Sequence, residues 1–293
     1  MDGSIKPGLR GTEEIVTTAM ANLAERTEEL RQAMSAFGVR PGHPESVLLY
    51  AMTSSQLAFG NMAAEMALAV ANTQEGAKAL VAELVAGEFA RLLGLPIPEI
   101  VFIDLDPAMA ATEPDSEIQH LIRASAGCNL ALDYLPGAIN FDPAVDAPDA
   151  ALASRIVWFD AFTCNVDRTP RNTNLLVWHR RLTLIDHGAA LYFHHDWDSA
   201  ARIAVSPFSR IADHVLLPFA SALASADAEL SARIGEHDIR RIVGLVPDAW
   251  LGSEPGFADG AAHREAYVAF FCQRLAQRSV FVEEAQRAHA GRL

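Results

Sequence analysis

The sequence predicts a mainly helical α+β fold, and three observations predict it. Apolar residues recur at three- and four-residue steps through the first third of the chain and again through the last, which is the helical period. Residues 99–105, Glu-Ile-Val-Phe-Ile-Asp-Leu, are too short and too apolar for a surface helix, and their branched and aromatic side chains read as a buried strand. Two short apolar runs, 174–178 and 182–186, flank His179-Arg180-Arg181 in the shape of a β-hairpin. At 293 residues the chain has room for one large domain or for two lobes around a shared cleft.

The elements follow in order. Thr12, with Glu13 and Glu14 behind it, starts a helix that carries Ile15, Ala19, Leu23, Leu30, Met34 and Phe37 and stops at Gly38. Pro41, Gly42 and Pro44 make a break, after which a second helix spans 46–71. A third spans 75–93, with Leu80, Leu84 and Leu92 on one side, and Gly94-Leu95-Pro96-Ile97-Pro98 ends it. Past the strand come a short helix over 116–125, an extended segment over 129–135 closed by Pro136-Gly137, and a linker over 138–150. A helix through Ile156, Val157 and Phe159 then leads to the hairpin, and helices over 209–224, 225–245 and 261–290 complete the chain.

Composition excludes several classes. With 23 basic against 37 acidic side chains the net charge is −14, a field that repels a polyanion, so no direct nucleic-acid binding is expected. Lys6 and Lys78 are the only lysines. Cys128, Cys164 and Cys272 are odd in number and widely spaced, which fits neither a disulfide framework nor a structural zinc site and suits a reducing, cytoplasmic setting. The first residues lack the basic start and apolar core of a signal peptide. The longest uncharged run, 46–64, is interrupted by Thr53, Ser54, Ser55, Gln56 and Asn61, so it reads as a buried helix and no membrane span is expected.

The hairpin carries the chemistry. If it turns about Arg180, Asp186 lies opposite Asn174 and two residues from Asn172, with opposed side chains about 5 Å apart. An amide oxygen and a carboxylate meeting there are ligands of the kind Mg²⁺ takes. Asp167, five residues before Asn172, would bring a second carboxylate able to accept a proton from an attacking hydroxyl. The pattern Asp167-x-x-x-x-Asn172, a hairpin, then Ile185-Asp186-x-Gly188 is the order of catalytic loop and metal-binding turn in protein-kinase-like enzymes. The plain alternative is that Asn172 and Asn174 cap turns while Asp186 ends a strand.

Taken whole, Asn165-Val166-Asp167-Arg168-Thr169-Pro170-Arg171-Asn172-Thr173-Asn174 and the stretch from Leu184-Ile185-Asp186-His187-Gly188 to Trp197 closely resemble the bacterial HipA-like kinases. Residues 78–88, followed by Leu93-Gly94-Leu95-Pro96, resemble that family's small-lobe helix, and Leu132-Asp133-Tyr134-Leu135 its interlobe connection. The resemblance runs from about Gly76 to the C-terminus. It implies a protein-kinase-like two-lobe fold with a reduced or altered N-terminal lobe. Residues 1–75 would be a helical segment of unassigned role, 76–136 a partial small lobe with its connection, and 137–293 a helical large lobe bearing the hairpin. Asp167 would be the catalytic aspartate, Asn172 and Asp186 would hold Mg²⁺ between the ATP phosphates, Leu132 to Leu135 would contact the adenine, and Glu83 would be the helix glutamate that pairs with a phosphate-binding lysine.

That lysine is missing from its place, because residues 66–74 hold neither lysine, arginine nor a glycine-rich turn. Lys78 is the candidate left, and it lies about 140° from Glu83 around one helix, so the two do not face each other. Lys78 then either reaches a phosphate from the helix start or sits in solvent. Arg168 and Arg171 flank the catalytic loop, where each could bind phosphate or an acidic substrate, or pair with a local aspartate. His187, His194 and His195 read as structural, and Trp158, Trp178 and Trp197 as packing. The function expected is ATP- and Mg²⁺-dependent phosphoryl transfer to a hydroxyl acceptor, a protein Ser or Thr first. A lipid or small-molecule kinase is the nearest alternative, since the strings also look like those of type II phosphatidylinositol 4-kinases. A nucleotide-binding pseudokinase or interaction module is the non-enzymatic one.

Overall fold

The computed structural model describes residues 74–293 apart from Tyr134, Ser253 and Leu293. The helices expected over 12–37 and 46–71, and Lys6, lie outside the described residues. The rest is mainly helical with two small antiparallel sheets. The elements that build it are α1 (Gln74–Leu92), β1 (Ile100–Leu105), α2 (Ser116–Ala124), β2 (Gly127–Leu132), β3 (Ile139–Asn140), α3 (Ala150–Thr163), β4 (Leu175–Trp178), β5 (Arg181–Leu184), α4 (Trp197–Ala204), α5 (Leu223–Ser231), α6 (Glu236–Val243), α7 (Asp248–Leu251), α8 (Gly260–Ala276) and α9 (Ser279–Ala290).

Helix α1 is buried on nearly every side, not on one. Ala82, Ala86 and Ala90 repeat every four residues and keep one stripe thin, while Leu84, Val85 and Phe89 fill others. The Phe89 ring meets Phe162 of α3 and Phe271 of α8 edge-on, with centroids 5.4 and 4.8 Å away. Gly87 lets β1 approach, since a Cβ there would lie 2.2 Å from Ile100 Cδ1. The helix ends as the sequence predicts. Gly94 takes φ +69°, and the Gly94 and Leu95 N–H groups donate to the carbonyls of Arg91 and Ala90 at 3.0 and 2.9 Å.

Strands β1 and β2 pair from Ile100 opposite Leu132 to Leu105 opposite Gly127. The second sheet has the order β3-β4-β5, so the stretch expected as a linker contributes a short strand, with Ile139 opposite Val177 and Phe141 buried behind it. Helix α3 starts where Asp149 accepts from Leu152 N–H at 3.1 Å and stops at Cys164, which takes φ 55°.

The hairpin is real but its register is one residue from the expected one. Leu175 pairs with Leu184 and Trp178 with Arg181, leaving the two-residue turn His179-Arg180 at φ 48° and 62°. Both signs are those of a primed turn, which matches the twist of the strands. Asn174 therefore stands opposite Ile185, whose N–H donates to its carbonyl at 3.1 Å, and not opposite Asp186.

The C-terminal half departs more. Residues 209–224 form the 3-10 turns Ser209–Asp213 and Leu217–Phe219, because Pro218 cannot extend a helix, before α5 begins. The helix expected over 225–245 is α5 and α6, split before Gly235, the N-cap of α6. The one expected over 261–290 is α8 and α9, parted at Gln277 and Arg278. Residues Tyr192–His195 make a 3-10 turn that leads into α4.

Left-handed backbone at two residues that carry a Cβ costs free energy, and Asn-Gly adopts it most easily. The double change His179→Asn with Arg180→Gly is expected to stabilise the fold by about 1 kcal/mol, seen as a higher urea midpoint at unchanged slope.

Candidate active site

Asp167, Asn172 and Asp186 come from three short segments that the hairpin gathers. Asp167 sits in the loop after α3, its N–H donating to Asn165 Oδ1 at 3.1 Å. Its Oδ2 accepts from Asn172 Nδ2 at 2.6 Å and from Asn174 Nδ2 at 3.3 Å. Asn174 Nδ2 also lies 3.5 Å from the Asp186 carbonyl, so this side chain spans the two proposed acidic positions. Asp186 takes φ 52°, which turns the chain off the end of β5, and its Oδ1 accepts from Gly188 N–H at 3.4 Å. Burial pushes the Asp186 carboxyl up, and the negative charges of Glu83 and, less, Asp167 push it the same way. Asp186 thus feels the negative charge of both Glu83 and Asp167. Among the described residues, however, no group of three His, Cys, Asp or Glu side chains stands close enough to hold a metal alone.

Glu83 has a partner that the sequence did not suggest. Its Oε2 accepts from the His187 backbone N–H at 2.5 Å, and its Oε1 lies 3.2 Å from His187 Nδ1. One helical turn earlier, on the same face of α1, Ala79 packs against the turn: a Cβ placed on Gly188 would sit 3.8 Å from Ala79 Cβ. The His187 ring is buried and edge-on to Phe159 at 5.8 Å. Helix α1 therefore holds residues 186–188 directly.

Lys78 points elsewhere. It is buried, and its Nζ lies 3.1 Å from Glu254 Oε1, which is also almost out of solvent. The expected lysine partner of Glu83 is not found among the described residues; instead the two charges of α1 face different neighbours, as their 140° separation requires.

Of the two roles open to Arg168, the structure shows pairing with a local aspartate: the side chain is 1% exposed and so turned away from solvent. Its Nε donates to Asp160 Oδ2 at 2.6 Å, and one terminal nitrogen reaches the carbonyls of Asn174 and Ile185. Asp160, on α3, also accepts from Asn165 Nδ2 at 3.1 Å and lies 2.8 Å from His214 Nε2. Burial pushes the Asp160 carboxyl up, but the Arg168 guanidinium and the His214 hydrogen bond outweigh it and hold it at about 2. His214 Nδ1 accepts from Leu216 N–H at 3.0 Å, which puts the ring proton on Nε2. Arg171, by contrast, is exposed next to Asn172.

The interlobe segment is partly committed. Leu132 ends β2 opposite Ile100, the Asp133 N–H donates to Glu99 O at 2.8 Å, and the Leu135 carbonyl accepts from Ala138 N–H at 3.1 Å. The Asp133 N–H is thus unavailable to an adenine; Tyr134 lies outside the described residues. His194 is fully buried with Nδ1 3.0 Å from Tyr267 Oη, in keeping with a structural role.

A family model described as HipA-like kinase matches residues 61–279, about three-quarters of the chain. The match starts upstream of Gly76 and ends at residue 279, short of the C-terminus. The chain belongs to the HipA-like kinase family, and its activity class is that of a kinase. No curated protein and no solved structure matches it. Among the described residues no helix is long and apolar enough to cross a membrane, and all three cysteines are free.

Two expectations follow. Glu83→Ala leaves the buried His187 N–H without an acceptor and is expected to cost about 1–3 kcal/mol in urea unfolding, while Glu83→Gln, which keeps an oxygen there, costs less. Burial holds His214 below its ordinary 6.5, so the folded ring stays neutral where the unfolded one takes a proton. Stability is therefore lost as the pH falls below about 6.5, and lost further as it falls from 3.8 toward about 2, where Asp160 titrates in the folded chain. Urea midpoints between pH 8 and 3 read this directly, and His214→Gln flattens the upper part of the decline.

Proposed function

We propose that this chain is an ATP- and Mg²⁺-dependent phosphotransferase with a two-lobe kinase-like arrangement, acting on a hydroxyl acceptor, a protein Ser or Thr first. The observation that carries the reading is the convergence of Asp167, Asn172 and Asp186, joined by Asn174 and held from behind by Glu83. Family membership supports the kinase class, and the acceptor and cofactors are inferred from the site.

The donor set fits a hard divalent cation. Asp186 is a carboxylate held by its turn, and Asn172 gives its nitrogen to Asp167, leaving its amide oxygen free to coordinate. When bound, Mg²⁺ would neutralise charge on the ATP phosphates. The chain's own residues do the rest. Asp167 Oδ2 is held by the two asparagine amides, so the carboxylate keeps one orientation and can accept the hydroxyl proton at its other oxygen. Arg171, exposed beside Asn172, is placed to meet a phosphate or an acidic part of the acceptor. Lys78 and Arg168 are left out, because each is already engaged by a carboxylate, Glu254 for the first and the buried Asp160 for the second. Leu132 and Leu135 remain the proposed walls and backbone contacts for the adenine. A reducing, cytoplasmic setting accompanies this reading.

One observation favours a second reading. Glu83 spends its carboxylate on His187 where a phosphate-binding lysine would be its partner, so a nucleotide-binding pseudokinase is the alternative.

Transfer of labelled γ-phosphate from ATP, with and without Mg²⁺, to protein and lipid acceptors in separate reactions, tests both. Asp167→Ala is expected to lower kcat by roughly 10²- to 10⁴-fold with an unchanged circular dichroism spectrum. Folded protein that binds Mg·ATP without transfer, equally well in Asp167→Ala, would mark the pseudokinase.

A further inference from the structure

Three site-bearing segments need a common anchor, and one buried side chain touches all three. Arg168 is covalently next to Asp167. Its guanidinium donates to the carbonyl of Asn174, two residues past Asn172, and reaches the carbonyl of Ile185 at 3.4 Å, one residue before Asp186. Its own carbonyl accepts from Val215 N–H at 3.0 Å, which brings the segment around His214 against the loop. A buried guanidinium keeps such a geometry only while its charge is matched and its planar fork is aimed.

We propose that Asp160 and His214 are positioning residues for phosphoryl transfer, acting through Arg168 on Asp167, Asn172 and Asp186; this rests on the kinase reading of those three. Asp160 is the sole carboxylate paired with Arg168 among the described residues, and its Oδ2 receives both Arg168 Nε and His214 Nε2. His214 is itself fixed, since Leu216 N–H donates to its other nitrogen. The imidazole sets where the Asp160 carboxylate points, the carboxylate sets the plane of the guanidinium, and the guanidinium sets the spacing of the loop and the two hairpin ends. Neither Asp160 nor His214 lies on the surface of the site: both are buried, so neither touches substrate. Loss of the anchor should therefore appear in the chemical step, where small misplacements of a reacting group cost most, and not in nucleotide binding.

The test compares His214→Phe, His214→Gln and wild type in the full-length chain. Phenylalanine fills the space with neither nitrogen; glutamine restores an N–H for Asp160. The expected result is a kcat lower by roughly 10- to 100-fold in His214→Phe, KM for Mg·ATP within about twofold of wild type, and recovery of most of the lost kcat in His214→Gln. Active-site concentration is set by the folded fraction from urea titration, so that partial unfolding is not read as slow chemistry. If His214→Phe keeps wild-type kcat per folded molecule, or if kcat and KM move together with no rescue by glutamine, the positioning role is overturned and His214 is only a packing residue. If wild type itself transfers no phosphate to any acceptor, the kinase reading fails and this inference goes with it.

Discussion

A helix enclosed on nearly every side has little polar face to spend, so each charged side chain it turns inward must end on a defined partner. Helix α1 meets that constraint with two. Lys78 ends on Glu254, 176 residues away, and Glu83 ends on His187, 104 residues away. Leaving either charge unpaired at such depth would cost several kcal/mol, so the positions of the loop around Glu254 and of the turn at 186–188 are tied to that of the helix. Phe89 ties α3 and α8 to it in turn. The site thus inherits its geometry from a helix that contributes only Glu83 to it.

The shortage of lysine acquires a physical meaning in the same way. Of 23 basic residues only Lys6 and Lys78 are lysines, and several of the arginines donate to backbone carbonyls. Arg274, fully buried, donates to Ala161 and Phe162 at the end of α3 and to Ile203 and Ala204 at the end of α4. Arg155 and Arg233 both donate to Leu93, just past the end of α1, and Arg264 to Val246 beyond α6. The last carbonyls of a helix have no partner within it and lie at the negative end of its dipole. A guanidinium can serve two helix ends at once through its fixed fork, which an ammonium on a single point cannot do. These arginines therefore close off helix ends, with Arg168 a further case in which the carbonyls belong to the site.

Much of this could be read from the sequence where the signals were local. The end of α1 was legible because Gly94 and Pro96 are unambiguous punctuation, and β1 because branched and aromatic residues cluster there. Asp167, Asn172 and Asp186 stood out by spacing alone. The hairpin register did not, because a turn of His179-Arg180 carries none of the Asn-Gly chemistry that marks a primed turn. The late helices ran together because apolar periodicity continues across residues 277–278, where neither Gly nor Pro interrupts it. Arg168 was left between a phosphate and a local aspartate, since a charged residue in a loop declares neither until its partner, Asp160 on the preceding helix, is placed. Glu83 with His187 and Asp160 with His214 depend on tertiary proximity, which no local pattern reports.

Phe89 also has a consequence for how the chain is made. Its aromatic neighbour Phe271 leaves the ribosome about 180 residues after it, and at roughly 5–20 residues per second that is a delay of some 10–40 seconds. During that interval α1, which the folded chain buries on nearly every side, has emerged without the α8 side chains that will cover it. Until then the Phe89 ring has the earlier Phe162 of α3 against it but not Phe271, so α1 completes its burial late in synthesis.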